Sequence, residues 1–165
     1  MVDMELTPIF YHEGEAAAMD KKEALIDFLN SARDLEAELL RQMERVEQLE
    51  RRCRRLSAPP TDAVRGGGKG RGEILAALVD ARSEMIAAGM RASAQWQEVD
   101  SFIDRLDDPR HRIILARRYL STNSWKKIQN ELSKLGLCYS EKTLYRLHSA
   151  ALAAAEMLWE DSQSR

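Results

Sequence analysis

The chain has 165 residues and a formal net charge of −2; 44% of its residues are hydrophobic, 32% charged and 6% aromatic. That length gives room for one or two small domains and a core without disulfide staples. The Ala-, Leu-, Glu- and Arg-rich mixture is ordinary for a soluble, helical protein. Cys53 and Cys138 lie far apart and neither joins a His or Cys at metal-ligand spacing, so they read as reduced thiols with no zinc site. The opening MVDMELTPIF lacks the basic and apolar regions of a signal peptide, and no run approaches the roughly 18 apolar residues of a membrane span. A cytoplasmic protein with no membrane partner is expected.

Residues 1–16 read as irregular, with Thr7-Pro8 breaking an early helix and Gly14 following. Residues 17–106 read as a long helical hairpin. In its first arm Leu25, Ala32, Leu39, Val46 and Cys53 recur every seven residues, with Phe28, Leu35, Leu49 and Leu56 in the alternate seam and polar Gln42 as the exception. Such heptads predict a helix packed along its length against another. The RRCRR run falls in its last turns, where cations offset the helix dipole.

Residues 57–72, SAPPTDAVRGGGKGRG, hold two of the four prolines and five of the eight glycines, which predicts a linker loop. A phosphate-binding GxxxxGK[ST] loop is excluded, because Ala63 stands where the first Gly is needed and Gly70 follows Lys69. The second arm carries Leu75, Leu78, Met85, Ala92, Trp96, Val99, Ile103 and Leu106, with Ile74, Ile86 and Met90 beside them. Two helices of similar length fold back as an antiparallel pair, and Ala88, Gly89 and Ala92 allow close approach. Because such a hairpin leaves apolar surface uncovered, homo-oligomerisation through it is expected.

Residues 107–165 form the C-terminal domain. Asp107-Asp108-Pro109 ends one helix and starts another. Arg110 to Leu120 reads as a helix with Ile113, Ala116 and Leu120 on one face. Ser124 caps the next, whose core positions are Trp125, Ile128, Leu132 and Leu135; Gly136 stops it. Ser140 caps the last, which runs from Glu141 to about Trp159.

Net charge hides an asymmetry. Met1 to Asp108 carries 15 Lys plus Arg against 22 Asp plus Glu, whereas Pro109 to Arg165 carries 10 against 5. The C-terminal third is therefore built to meet an anion. At about 100° per residue, Leu144, Leu147, Ala151 and Leu158 share one side of the last helix while Lys142, Tyr145, Arg146 and Ser149 share the other. An apolar side that anchors and a donor-rich side that projects is the arrangement of a helix that enters the DNA major groove. Glu141, Lys142, Tyr145, Arg146 and Ser149 are the base-contacting candidates, and Arg117, Arg118, Lys126 and Lys127 the phosphate-contacting ones. The plain alternatives are a solvated face for Lys142 and Arg146, a core-edge role for Tyr145, and packed positions for His148 and Trp125.

RRYLSTNSWKKIQNEL followed by YSEKTLYRLHSAAL resembles region 4 of bacterial sigma-70-type factors, and more closely the phage-encoded ArpU-type regulators, which follow a coiled-coil hairpin with a helix-turn-helix. LDDPRHRIILARRYL also matches the segment leading into that motif. The resemblance implies a phage or prophage transcription regulator that binds double-stranded DNA and contacts RNA polymerase. One departure is that twelve positions separate Ile128 from Ser140, more than the sigma pattern carries. The added KLGLC stretch is expected to lengthen the first helix or its turn.

The expected fold is thus all-α, a long antiparallel coiled-coil hairpin followed by a C-terminal helix-turn-helix domain. The expected function is sequence-specific binding of double-stranded DNA, without enzymatic activity, cofactor or metal. His12, His111 and His148 are scattered, and no nucleophile or carboxylate cluster emerges at a readable spacing. Two rival readings are a small-terminase-like DNA-packaging subunit and a protein-interaction module that binds an acidic surface.

Overall fold

A computed structural model of the chain describes residues 13–57, 68–121 and 124–163. Every element among them is helical: α1 (Glu13–Ser57), α2 (Gly68–Asp104), α3 (Pro109–Leu115), a π-helical turn (Ala116–Leu120), α4 (Trp125–Lys134) and α5 (Glu141–Gln163). No helix is long and apolar enough to cross a membrane. The irregular start lies outside the described residues up to position 12, and α1 begins at Glu13, a turn earlier than the heptads alone require.

α1 and α2 run antiparallel. Phe28 meets Phe102 with ring centroids 5.5 Å apart, Leu39 Cδ1 lies 3.7 Å from where a Cβ on Gly89 would stand, and Arg45 and Arg82 pair with Glu84 and Glu50, each at 2.7 Å. These exposed ion pairs contribute little to stability individually, but they mark the register. Within α1, Leu25, Ala32 and Val46 are buried at seam positions, and Leu29, beside the seam, is also fully buried. Polar Gln42 donates from Nε2 to Glu38 Oε1 at 2.7 Å, while its buried Oε1 meets no donor among the described residues.

The second arm departs from expectation at both its start and its seam. Gly68 to Gly72 belong to α2 rather than to the loop, and the rest of the loop, 58–67, lies outside the described residues. Glycine costs a helix about 1 kcal/mol relative to alanine, so this first stretch is the weakest part of α2; a Cβ at Gly70 or Gly72 would meet nothing within 4 Å. The buried seam is Leu78, Ala81, Ala88, Ala92, Val99, Phe102, Ile103 and, just past the helix end, Leu106, with Met85 and polar Gln95 half-buried between them. This is a seam built largely on alanine through its middle, which brings the helix axes close. Leu75, Ile86, Met90 and Trp96, expected in or beside that stripe, are exposed. Bulk drew attention to them; the small residues hold the buried positions.

The C-terminal helices close over the open end of the hairpin. Leu25, Leu29, Ala32, Val99, Phe102 and Ile103 join one buried cluster with Ile114, Leu115, Tyr119, Ile128, Leu132, Leu144, Ala151 and Ala155. The expected division at 106/107 therefore lies within a continuous core. Burying a leucine such as Leu25 or Leu144 contributes about 2 kcal/mol of transfer free energy, so each part stabilises the other. Arg112 reinforces the junction by donating from Nη1 to the carbonyl of Leu106 at 2.7 Å.

Candidate nucleic-acid interface

Three short-range devices build the C-terminal surface. Asp108 caps α3, accepting from the Arg110 backbone N–H at 2.8 Å and pairing with its guanidinium at 2.8 Å. Those hydrogen bonds hold the Asp108 carboxyl down to about 2. Leu115 ends the α-helical stretch, and a wider turn follows in which the Ser121 N–H donates to the carbonyl of Ala116 at 3.1 Å. The single helix expected over Arg110 to Leu120 is therefore divided. The π turn buries Tyr119 and leaves Ile113, Ala116 and Leu120 half-buried.

Ser124 caps α4, its Oγ accepting from the Lys127 N–H at 3.4 Å. Ile128 and Leu132 are buried, Trp125 is half-buried, and Leu135 is exposed, contrary to its expected core position. The reason is the helix end. Gly136 adopts φ +81°, its N–H donates to Ser133 and that of Leu137 to Leu132, at 3.1 and 2.9 Å. This double closure is a Schellman motif, which satisfies the last carbonyls and returns the next apolar residue to the core. Leu137 takes the place expected of Leu135 and packs on the buried cluster. The extra stretch thus both extends α4 and forms its turn; the Gln129 side chain then steadies the connection by donating to the Tyr139 carbonyl at 2.9 Å.

Ser140 begins α5. Its Oγ accepts from the Thr143 N–H at 3.2 Å and lies 2.8 Å from the Thr143 hydroxyl. Leu144, Ala151, Leu152 and Ala155 are buried and Leu147 and Leu158 half-buried, so one side of α5 is anchored along its length. Glu141, Lys142, Tyr145, Arg146 and Ser149 are all exposed and together line one shallow open depression. Tyr145 is 47% exposed, and its hydroxyl donates to Glu141 Oε1 at 3.4 Å.

The four phosphate-contacting candidates separate into two kinds. Lys126 and Lys127 are exposed in the first turn of α4. Arg117 is held by Glu131 at 3.0 Å, and the Arg118 Cζ lies 5.0 Å from the centroid of the Trp125 ring. Both arginines therefore also fix the π turn to α4. Counting charges could not show this, because a guanidinium with an internal partner adds to the total as fully as an exposed one.

Trp125 is the residue whose place at the site was not legible. Its ring lies 4.9 Å from that of Tyr145 and 5.0 Å from that of His148, with Arg118 over it. It joins the edge of the core to the exposed face of α5. His148 in turn stacks on Tyr119, and burial, with Arg118 and Lys22 adding, holds its imidazole below the usual histidine range. Burial likewise pushes the Tyr119 phenol up. Among the described residues, no group of three His, Cys, Asp or Glu side chains is placed to hold a metal ion.

No family model, curated protein or solved structure matches the chain.

Proposed function

We propose that the protein is a sequence-specific double-stranded DNA-binding regulator of transcription, of the phage or prophage kind, that sets the N-terminal half of α5 into the major groove. The observation that carries this reading is the single exposed face of Glu141, Lys142, Tyr145, Arg146 and Ser149 on a helix anchored behind by Leu144 and Ala151. A helix held rigidly and showing cationic and hydroxyl donors on its free side meets the geometric and chemical demands of base readout. Lys126 and Lys127, on the preceding helix, are disposed for the phosphate backbone. α4, the turn at 135–140 and α5 serve as the helix-turn-helix. The likeness to sigma region 4 adds RNA polymerase as a protein partner.

Duplex binding measured across a salt series tests the reading. Affinity is expected to fall steeply as salt rises, because neutralised phosphates release counterions. Arg146→Ala is expected to cost about 1–3 kcal/mol with loss of discrimination at one base position, whereas Lys127→Ala weakens all sequences alike and lowers the salt slope by about one. A flat salt response in the wild-type protein overturns the proposal.

A further inference from the structure

Five of the large hydrophobic residues that stand exposed lie on α2: Leu75, Val79, Ile86, Met90 and Trp96. At about 100° per residue, the first four fall within about 60° of one another. They form a stripe on the side of α2 turned away from α1. Their exposures are 46, 66, 61 and 71%. A row of small exposed residues, Ala76, Ser83, Ala87 and Ala94, runs along one flank of the stripe and leaves room for another helix to approach.

The spacing of the stripe suits a second copy of the same helix running the opposite way. Leu75 and Met90 stand equally far from the midpoint between Arg82 and Ser83, and so do Val79 and Ile86. A two-fold axis at that midpoint therefore sets Leu75 on Met90 and Val79 on Ile86 of the other copy, with each contact made twice. Arg82, next to the axis, brings its own counter-charge, since Glu50 pairs with it at 2.7 Å.

Charge selects the antiparallel arrangement over the parallel one. The hairpin tip carries exposed Arg51, Arg52, Arg54, Arg55 and Arg71 against exposed Glu47 and Glu73, a clear cationic excess. Parallel pairing stacks one cationic tip on the other. Antiparallel pairing sets the two tips at opposite ends of the assembly, so that their like charges stay apart.

We infer that the Leu75–Val79–Ile86–Met90 stripe of α2 is the surface through which two copies of this chain pair antiparallel, about a two-fold axis beside Arg82 and Ser83. The pairing deepens the DNA-binding reading by placing the two α5 surfaces at opposite ends of the assembly. At ~1.5 Å per residue, the two Asp104 ends of α2 lie ~65 Å apart.

The pairing is tested on the full chain without DNA, so its failure is distinct from a failure of DNA binding. Sedimentation at micromolar concentration is expected to give twice the 18.8 kDa of one chain. Val79→Glu with Ile86→Glu is expected to give one chain's mass while circular dichroism keeps its helical signal. In a Cys53→Ala, Cys138→Ser background, Ser83→Cys is expected to join two chains through a short bismaleimide and Asp100→Cys is not. A wild-type protein of single-chain mass, a double glutamate variant that stays paired, or crosslinking at Asp100→Cys as strong as at Ser83→Cys each overturns the inference.

Discussion

Phe28 in the first helix and Trp159 in the last lie with ring centroids 4.7 Å apart, and Phe102 of α2 meets both rings edge-on, at 5.5 and 5.6 Å. This aromatic trio closes the base of the hairpin with the C-terminal end of α5. The ion pairs of Lys21 with Glu160 and Lys22 with Glu156 lie at its rim, at 3.1 and 3.7 Å. The exposed face of α5, proposed to meet DNA, is thereby braced by the long arms rather than tethered to them.

Cooperative unfolding of the whole chain follows from that brace. Leu29→Ala, a truncation at a fully buried position in α1, is expected to destabilise by about 3 kcal/mol, from lost transfer energy and the cavity left behind. Because the core is continuous, its thermal transition is expected to shift equally whether followed by helical circular dichroism or by tryptophan fluorescence. Two separated transitions, only one of them moved by the substitution, would show that hairpin and tail unfold independently.

His148 makes this stability depend on pH. The Tyr119 hydroxyl lies 3.3 Å from its Nε2, and burial lowers the imidazole's folded-state pKa below its ordinary 6.5. A histidine whose folded pKa is depressed binds its proton more readily in the unfolded chain. Stability from this site is therefore complete above pH 6.5 and declines as pH falls from there toward the folded value. The groups facing it are Tyr119, Trp125, Arg118 and Lys22. Melting temperature measured between pH 7.5 and 5.5 is expected to fall in the wild type and to fall less in His148→Gln. Equal slopes for the two proteins would remove His148 as the cause.

The helices, the hairpin and the polar face of α5 were legible because each leaves a periodic trace: heptads in α1, and a separation of Leu144, Leu147 and Ala151 from Lys142, Tyr145 and Arg146 in α5. The seam of α2 was legible in part: Leu78, Ala92, Val99, Ile103 and Leu106 are buried as expected and Ala88 lies at the close approach, whereas Leu75 and Trp96 are exposed. Ala81, fully buried, carries too little hydrophobic signal to compete with Ile86 or Met90. The π turn at Ala116–Leu120 was equally silent, since widening a helix by one residue per turn alters no residue type. The inward face is set before it, by Ile114 and Leu115, with Tyr119 four residues on, whereas Ile113, Ala116 and Leu120, expected inside, are only half-buried.

Trp125 is expected to act on DNA binding through Tyr145. With the two rings 4.9 Å apart, removal of the indole frees the phenol from its place on the exposed face of α5 and releases Arg118 from its stacked place. Trp125→Ala is expected to destabilise the fold by about 2 kcal/mol, below the range for a fully buried tryptophan because the ring is half-exposed. Loss of duplex affinity is expected in excess of that from Lys127→Ala, with Trp125→Phe recovering most of both. Full affinity in a folded Trp125→Ala protein would limit the residue to packing.

Gly136 tests whether the lengthened turn sets the attitude of α5. Its φ of +81° lies in the left-handed region, and a Cβ there meets nothing within 4 Å. Gly136→Ala therefore has no steric neighbour to disturb, and its cost is that of the backbone conformation alone, about 1 kcal/mol. Gly136→Asn is expected to cost less, because asparagine tolerates the left-handed region better than alanine does. If the Schellman closure governs how Leu137 seats in the core, and through it the approach to Ser140, Gly136→Ala will also weaken duplex binding while Gly136→Asn largely preserves it. An alanine variant with lowered melting temperature and unchanged affinity would mean that the cap on Ser140 orients α5 by itself. Comparing the two variants separates the energy of the turn from the direction that the turn imposes.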